Sequence, residues 1–454
     1  MRTLRTRLAL PLVAATAFGT LGVLSLGGSA SAGTDPAAAP PTVTAADPTY
    51  LVAALNGRNE VPGAAGSPAA GDPDGQAVEV LKIQGNQVAF AIKWTGITAP
   101  VAGHIHTGAA GTAGAVVVPF FGAGLTAGLT AVVGAATVTD PAVLDAILAN
   151  PGAFYVNLHT AEFPAGAVRG QLHKATHPVD LNSFLRGGPL TALLDGTQEV
   201  PAGGDPDGHA AAFVRASYGQ VEFAFAWSGI GAPVAGHIHQ GSSGVGGPVV
   251  VPFFAAPTGL PATISGVAGV VTGVAPDLIG QISRDPAAFY VNLHTTEFPA
   301  GAVRGQLFGS GSAAGPFNSS SFVASVVQGR QIYACTAQAD GTFAYTQLNV
   351  SARLQTGIRH SFVADVAGPP QWVSRDGSSV TGTVLTRLPN GAGNIAELDL
   401  DLTQTGAKTG QLAGALEAER LNTVGGVAPA GACDATAHPT AEVDYQADYL
   451  FLIK

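Results

Sequence analysis

Short segments in which apolar residues run together or alternate with polar ones recur along the whole chain. QVAFAIKW (87–94), AVVVPFF (115–121) and FYVNLH (154–159) are typical, and each is bounded by Gly, Pro, Asp or Asn. A period of two predicts β-strands, and short strands separated by turn residues predict β-sandwiches or Greek-key barrels. We therefore predict an all-β protein.

One segment has helical rather than alternating spacing. It reads DPAVLDAILANPGAF (140–154), in which Asp140 can cap a helix and Pro141 suits its first position. We predict a short helix here, directly before a central strand.

The chain also contains a long internal repeat. FYVNLHTAEFPAGAVRGQL at 154–172 returns as FYVNLHTTEFPAGAVRGQL at 289–307, with one difference in 19 positions. Upstream, GDPDG at 71–75 returns at 204–208. This self-similarity predicts two copies of one β-domain in tandem.

Composition sets the remaining boundaries. The first 32 residues combine a basic start, an apolar stretch and a small-residue end, which is typical of a cleaved secretory signal; the alternative is a membrane anchor. Pro/Ala-rich and Gly/Ser-rich stretches are typical of linkers. We expect a signal peptide at 1–32, a flexible segment at 33–48, repeat 1 at 49–173, a linker at 174–188, repeat 2 at 189–308, a Gly/Ser linker at 309–316 and a third β-domain at 317–454.

Charge, hydropathy and cysteine count indicate which partners and which compartment suit the protein. The 454 residues carry a net charge of −10 with no basic stripe, which argues against nucleic acid. No segment after the signal is long and apolar enough to cross a bilayer. The two cysteines, Cys335 and Cys433, predict one disulfide in an exported protein, with two free thiols as the alternative.

Histidines fall in a repeated pattern. His104 and His106 lie two residues apart in a predicted strand and therefore share a face, as do Asn157 and His159. If these strands are neighbours, three imidazoles meet, with Asn157 as a supporting donor. Repeat 2 offers the same set, namely His237, His239, His294 and Asn292.

Three neutral imidazoles with an open position suit a transition metal, with copper favoured and zinc as the alternative. The other interpretation is that the imidazoles bond backbone carbonyls and brace the strands. The remaining histidines lack such partners, and we expect them at the surface or in linkers; they are His173, His177, His209, His360 and His438.

Arg169 and Arg304 follow the last histidine of each repeat, in AGAVRGQL. Each is able to hold a carboxylate or steer an anion toward a metal. Each is equally able to form an internal bridge, to Glu60 or Glu162 in repeat 1 and to Glu199 or Glu297 in repeat 2. A GxSxG nucleophile motif, a phosphate-binding loop and a dinucleotide fingerprint are all missing from the sequence.

Both repeats resemble the CHRD domain of chordin and secreted microbial proteins, through EVP, AGHIHxG, YVNLHT and RGQL in that order. The resemblance implies an extracellular β-domain. HIH, a distant strand histidine and a Gly-flanked arginine also resemble the copper half of Cu/Zn superoxide dismutase. That likeness implies copper ligands at His104, His106 and His159 and an anion-guiding Arg169, repeated in the second copy; a bridging histidine and a zinc-ligand cluster are lacking.

The last domain resembles an uncharacterised secreted family of bacteria and fungi. Its aromatic residues Trp372, Tyr445 and Tyr449 are expected in the core, with a ligand groove as the alternative. The matching motifs are YACTAQADG (333–341), PQWVSRDGSSVTG (370–382), RLNTVGGVAPAGACD (420–434) and YQADYLFL (445–452).

Three functions fit these observations. The first is a secreted binding protein that holds one metal ion per repeat and acts on an extracellular protein or glycan. The second is a copper redox enzyme of the superoxide-dismutase type, in which Arg169 and Arg304 attract the anion. The third is a metal-free structural or adhesive protein.

Overall fold

The chain folds almost entirely into antiparallel β-structure, which confirms the predicted all-β class. Each repeat contains one short α-helix, and the third domain contains a disulfide, as predicted. The computed structural model describes residues 47–185, 188–201, 203–309, 321–366 and 368–453.

The predicted signal at 1–32 lies outside the described residues, as do nearly all of the segment at 33–48 and of the linker at 309–316. Within the described part of the chain, no helix has the length and apolar character needed to span a bilayer.

Repeat 1 is built from two sheets. One has the strand order β9-β1-β2-β3-β6 and the other the order β5-β4-β7-β8. The chain leaves the first sheet after β3 and returns to it at β6, which gives the predicted Greek-key path. The strands are β1 (Thr49–Asn56), β2 (Gln76–Gln84), β3 (Gln87–Thr95), β4 (Ala102–Thr107), β5 (Val116–Phe121), β6 (Leu129–Thr137), β7 (Phe154–His159), β8 (Val168–Gln171) and β9 (His173–Lys174).

Repeat 2 has the same two sheets, in the orders β18-β10-β11-β12-β15 and β14-β13-β16-β17. Its strands are β10 (Leu190–Asp195), β11 (His209–Ser217), β12 (Gln220–Ser228), β13 (Pro233–Gln240), β14 (Val249–Ala255), β15 (Ile264–Thr272), β16 (Phe289–Thr295), β17 (Val303–Gln306) and β18 (Phe308–Gly309).

The two repeats share one continuous sheet. β6 pairs antiparallel with β15, its counterpart in repeat 2, and Val132 lies opposite the equivalent Val267. Apolar residues of both repeats accordingly form one hydrophobic core, which includes Phe90 and Phe120 from repeat 1 and Phe223 from repeat 2.

The predicted helix is present as α1 (Pro141–Ala149). Asp140 caps it by accepting a hydrogen bond from the Ala142 backbone N–H, and Pro141 occupies the first turn, where its missing N–H costs no hydrogen bond. Leu144 and Ile147 are buried against the core. The counterpart in repeat 2 is α2 (Pro276–Arg284).

The C-terminal domain is a closed barrel of eight strands in sequence order, in which the first strand pairs with the last. Cys335 and Cys433 form the predicted disulfide. The strands are β19 (Phe322–Ala337), β20 (Phe343–Leu354), β21 (Arg359–Phe362), β22 (Pro370–Val373), β23 (Ser379–Leu388), β24 (Glu397–Gln404), β25 (Ala415–Gly425) and β26 (Thr440–Ile453).

Polar contacts join the barrel to repeat 1. The buried Asp448 carboxylate of β26 accepts hydrogen bonds from Asn56 and from Arg58, the latter at 2.9 Å. The buried Glu417 carboxylate accepts 2.9 Å hydrogen bonds from the backbone N–H groups of Thr176 and His177, in the segment between the repeats. Charged acceptors with several donors make strong contacts, so the barrel is fixed to the repeats.

One carboxyl group lies in the core with no hydrogen bond. Glu79 of β2 is 0% exposed, and neither carboxylate oxygen has a partner. Its partners on the neighbouring strands are Ala53 and Ile92. The equivalent residue in repeat 2 is Ala212, which lies opposite Phe225. Burial raises the pKa of Glu79 well above its ordinary 4.5. Burial therefore favours the protonated form of this carboxyl group in the folded protein, which makes its contribution to stability depend on pH.

We predict that Glu79→Gln removes part of the pH dependence of stability. A raised folded-state pKa gives stability that is complete below the unfolded-state value and lost as pH rises, by about 1.4 kcal/mol per pH unit. Urea unfolding at about pH 5 and about pH 8 should show the variant gaining on the parent protein at the higher pH. Glu162→Gln, at an exposed carboxyl, is the control, and an equal gain there would contradict the prediction.

Candidate metal centres

Each repeat brings three histidines onto one face of its smaller sheet. β4 pairs with β7, with Ala102 opposite His159 and His104 opposite Asn157. One nitrogen from each of His104, His106 and His159 lies within 4.8 Å of the other two. β4 and β7 are therefore adjacent strands, as the histidine pattern requires. The second repeat groups His237, His239 and His294 within the same limit.

Backbone carbonyls fix which ring nitrogen carries the proton. The Nδ1–H of His106 donates to the Gly114 carbonyl at 3.0 Å, and that of His159 donates to the Pro164 carbonyl at 3.0 Å. The lone pair of each ring is thereby left on Nε2, which is buried and has no protein partner. Nδ1 of His104 is also buried without a partner. These are the orientations that metal-binding imidazoles need.

The second repeat has the same two carbonyl contacts and leaves Nε2 of His239 buried without a partner, but two of its histidines are hydrogen-bonded to each other. His239 and His294 donate through Nδ1 to the carbonyls of Gly247 and Pro299, at 2.9 Å and 3.0 Å. Nε2 of His294 accepts a hydrogen bond from Nδ1 of His237 at 3.1 Å. Two nitrogens bound to one zinc ion at about 2.0–2.1 Å and the tetrahedral angle are about 3.3 Å apart, so this spacing fits a shared ion.

Burial disfavours the charged form of five of the six histidines. Burial, followed by the nearby imidazoles, lowers the pKa of His104 and of His237 to about 4. Burial likewise lowers the pKa of His106, His159 and His294. Neutral imidazole is the ligand form, so a lowered pKa favours the form of these five side chains that binds a metal.

A stack of three side chains supports the second histidine of each repeat. The His106 ring stacks on Tyr155 with centroids 4.9 Å apart, and the Arg169 guanidinium lies 3.4 Å from the Tyr155 centroid. In repeat 2, His239 stacks on Tyr290 at 4.7 Å and Arg304 lies 3.4 Å from that ring. Stacking and cation–π attraction together restrict the orientation of the imidazole.

The arginine also builds the loop that follows β4. Arg169 donates from Nη2 to the carbonyls of Ala109 and Thr112, at 2.9 Å and 2.8 Å. Gln171, two residues later, donates to the Gly108 carbonyl at 3.0 Å. The same loop contains Gly114, the residue whose carbonyl accepts from His106. Arg169 and Gln171 of the RGQL motif therefore position His106 in two ways. Both hold the loop that contains Gly114, and Arg169 completes the stack on Tyr155.

Asn157 lies between the histidines and a buried carboxyl group. Burial raises the pKa of Glu60 to about 7, while the Arg169 charge and a hydrogen bond with Asn157 oppose this rise. Gly166 makes room for the carboxyl group: a Cβ there would lie 2.4 Å from Glu60 Oε1, and its φ of +129° disfavours other residues. Asn292, Glu199 and Gly301 form the same set in repeat 2.

Arg169 and Arg304 lie beneath the sites, each 2% exposed. Each contacts a tyrosine ring and two loop carbonyls, and the predicted carboxylate bridge is not among these contacts. Anion guidance remains a prediction.

The expectation that the other histidines lie at the surface or in linkers is wrong for two of them. His173 and His360 are buried, the first in β9 and the second stacked on Trp372 at 4.6 Å. Their surroundings come from strands far away in sequence, which an unpaired histidine does not reveal. His209 and His438 are exposed, as expected.

Both repeats match one known family model. The CHRD domain model matches residues 51–172 and 190–307, more than half of the chain. The chain belongs to the CHRD family. Residues 316–453 match a second model, described as a protein of unknown function (DUF3455). No curated protein and no solved structure is significantly similar to the chain, so the likeness to superoxide dismutase has only the sequence pattern behind it.

Sequence reasoning missed several residues of the CHRD sites. Tyr155 and Gln171 were not singled out, nor was Gly114, whose carbonyl accepts from His106. A signal for two of them was present, because Tyr155 and Gln171 fall inside the 19-residue segment that returns almost unchanged in the second CHRD domain. The counterparts of these three residues are Tyr290, Gln306 and Gly247.

Proposed function

We propose that each CHRD domain of this protein binds one transition-metal ion through its three histidines, with copper favoured and zinc as the alternative. The observation that carries this proposal is the group of buried imidazole nitrogens without protein partners, which His104, His106 and His159 direct to one place. Buried polar atoms are almost always satisfied, so such a group calls for a ligand.

The donor set favours copper or zinc. Three neutral nitrogen donors suit both ions, and Cu(II) generally binds a given nitrogen site more tightly than Zn(II). Among the described residues, each cluster contains three groups of the metal-binding types, so further positions are left to solvent or an external ligand. A bound ion would supply a Lewis-acid or one-electron centre there.

The surrounding residues have separate tasks in this proposal. The Gly114 and Pro164 carbonyls keep the protons of His106 and His159 on Nδ1. The stack of Tyr155 and Arg169 holds the His106 ring in place. Partners of this kind orient metal ligands and raise their affinity.

We also propose that the protein acts outside the cell. The basic and apolar pattern of residues 1–32 supports export, and the Cys335–Cys433 disulfide is of the kind that persists in oxidising compartments.

Metal content tests the proposal directly. Metal-free protein exposed to Cu(II), or separately to Zn(II), and then desalted should retain about two equivalents by elemental analysis, one for each histidine cluster. His104→Ala with His106→Ala should retain about one, and the further changes His237→Ala and His239→Ala should abolish retention. Electron paramagnetic resonance of the Cu(II) form should show nitrogen coupling from the imidazoles.

Exposed histidines provide the matched control. A variant with His209→Ala and His438→Ala, at two exposed positions, should bind as much metal as the parent protein. Absence of metal from a parent protein that is folded by circular dichroism would overturn the proposal. Equal retention by the four-histidine variant would do the same.

A further inference from the structure

The C-terminal barrel encloses a cavity that the CHRD sites do not use. Its volume is about 480 Å³, which lies within the range of small-molecule sites, about 300–1,000 Å³. Eight-stranded barrels are able to hold one small ligand in this way. Arg387 lines the cavity and is exposed, so one end of the cavity reaches the surface.

Flat rings form much of the wall. Trp372 stacks on His360 with an interplanar angle of 5°, and Tyr449 meets Trp372 edge-on at 5.5 Å. Tyr333 and Phe362 also line the space. Trp372, Tyr445 and Tyr449 lie in the barrel core, as expected, and Trp372 and Tyr449 also line the cavity. Such walls favour a planar aromatic body, because rings gain from stacked and edge-on contacts.

Two hydrogen-bond donors in the wall have no partner. The indole Nε1 of Trp372 and the amide Nε2 of Gln331 are both buried and unbonded. Gln347 donates to the Gln331 side-chain oxygen at 2.9 Å, which fixes the amide so that its nitrogen is the free end. Unsatisfied buried donors are costly, and an acceptor on a ligand would satisfy them.

The charge of the wall selects the kind of acceptor. Arg387 and Arg420 line the cavity, and the described lining contains no Asp, Glu or Lys. Arg420 donates from Nε and Nη2 to the Ala396 carbonyl, at 3.1 Å and 2.6 Å, which holds its guanidinium against the cavity. Glu397 interacts with Arg420 from outside the lining. The chain as a whole carries −10, so a positive cavity is a local feature.

We infer that this cavity binds a small aromatic carboxylate, with the ring against the wall that Trp372 and Tyr449 form and the carboxylate toward Arg420. The ring walls recognise the body of the ligand and the guanidinium recognises its anion. The free donors of Trp372 and Gln331 supply the remaining hydrogen bonds. This site is separate from the histidine clusters and does not depend on metal.

Titration of the metal-free full-length protein with para-nitrobenzoate tests the inference. Calorimetry should show one saturable site, and the nitro group should quench the emission of Trp372. The neutral para-nitrobenzamide should bind at least about tenfold more weakly, because it lacks the charge that Arg420 recognises. Arg420→Gln should weaken para-nitrobenzoate binding by a similar factor.

Two further variants locate the site. Arg353→Gln, at an exposed position on β20, should bind like the parent protein. Trp372→Phe keeps an aromatic wall but should bind several-fold more weakly and lose most of the quenching, since only Trp94 and Trp227 remain. Binding weaker than about 1 mM for both para-nitrobenzoate and naphthoate would overturn the inference. So would equal affinities of the Arg420 and Arg353 variants, or unchanged quenching in Trp372→Phe.

Discussion

Replacing Arg169 with alanine should lower the free energy of unfolding by about 3–5 kcal/mol, although the residue is not a metal ligand. The change removes the cation–π contact with Tyr155 and leaves the carbonyls of Ala109 and Thr112 without their donor. It also removes the positive charge that opposes protonation of the buried Glu60. Loss of several buried interactions at once places this substitution among the most damaging single changes.

Denaturant unfolding of the variant and the parent protein would measure this effect. Arg284→Ala, at an exposed position on α2, is the matched control and should change stability by no more than about 0.5 kcal/mol. A second readout separates stability from the proposed site. Below the unfolding transition, the Arg169 variant should retain metal in repeat 2 but bind it more weakly in repeat 1, where the stack under His106 is lost. Equal stability of the two variants would contradict the prediction.

Removing the disulfide should have an effect of comparable size. Cys335 and Cys433 are 98 residues apart, and closing a loop of about 100 residues restricts the unfolded chain by about 4.7 kcal/mol in the chain-entropy model. The bond ties β19 to the segment between β25 and β26, so its loss should destabilise the barrel in particular.

Thermal unfolding of a Cys335→Ser, Cys433→Ser double variant would check this. The barrel transition should move to lower temperature by many degrees, as it should in the parent protein after reduction. Metal retention by the histidine clusters provides the internal control, because both lie in the repeats and should stay unchanged. An unaltered barrel transition would show that the loop is already restrained without the bond.

The parts of the fold with local causes could be predicted from the sequence. The pattern of apolar and polar residues located β3, β5 and β7, and the cap at Asp140 located α1. The face shared by His104 and His106 follows from strand geometry alone, because side chains two apart in a strand point the same way. The pairing of His159 with that face was conditional on strand order, which the repeat pattern does not specify.

Features that depend on tertiary contacts could not be predicted from the sequence. The stack of Arg169 on Tyr155 forms across neighbouring strands, and Gly114 reaches His106 only through the loop that RGQL holds. The burial of His360 and the cavity beside it follow from closure of the barrel, which requires β19 to meet β26 at a distance of more than a hundred residues. Local periodicity carries no information on which distant strands meet.

The antiparallel contact of β6 with β15 relates the two repeats in the way that the two subunits of a dimer are related. Val132 opposite Val267 places a pseudo-twofold axis between the repeats, so each contributes the same patch, as subunits do in an isologous homodimer. A lone repeat would leave the β6 edge open to a second copy. The present chain is in effect a covalently fused dimer. Association of the two repeats therefore does not depend on protein concentration. The two repeats are also free to differ in sequence, as they do at the equivalent positions Glu79 and Ala212.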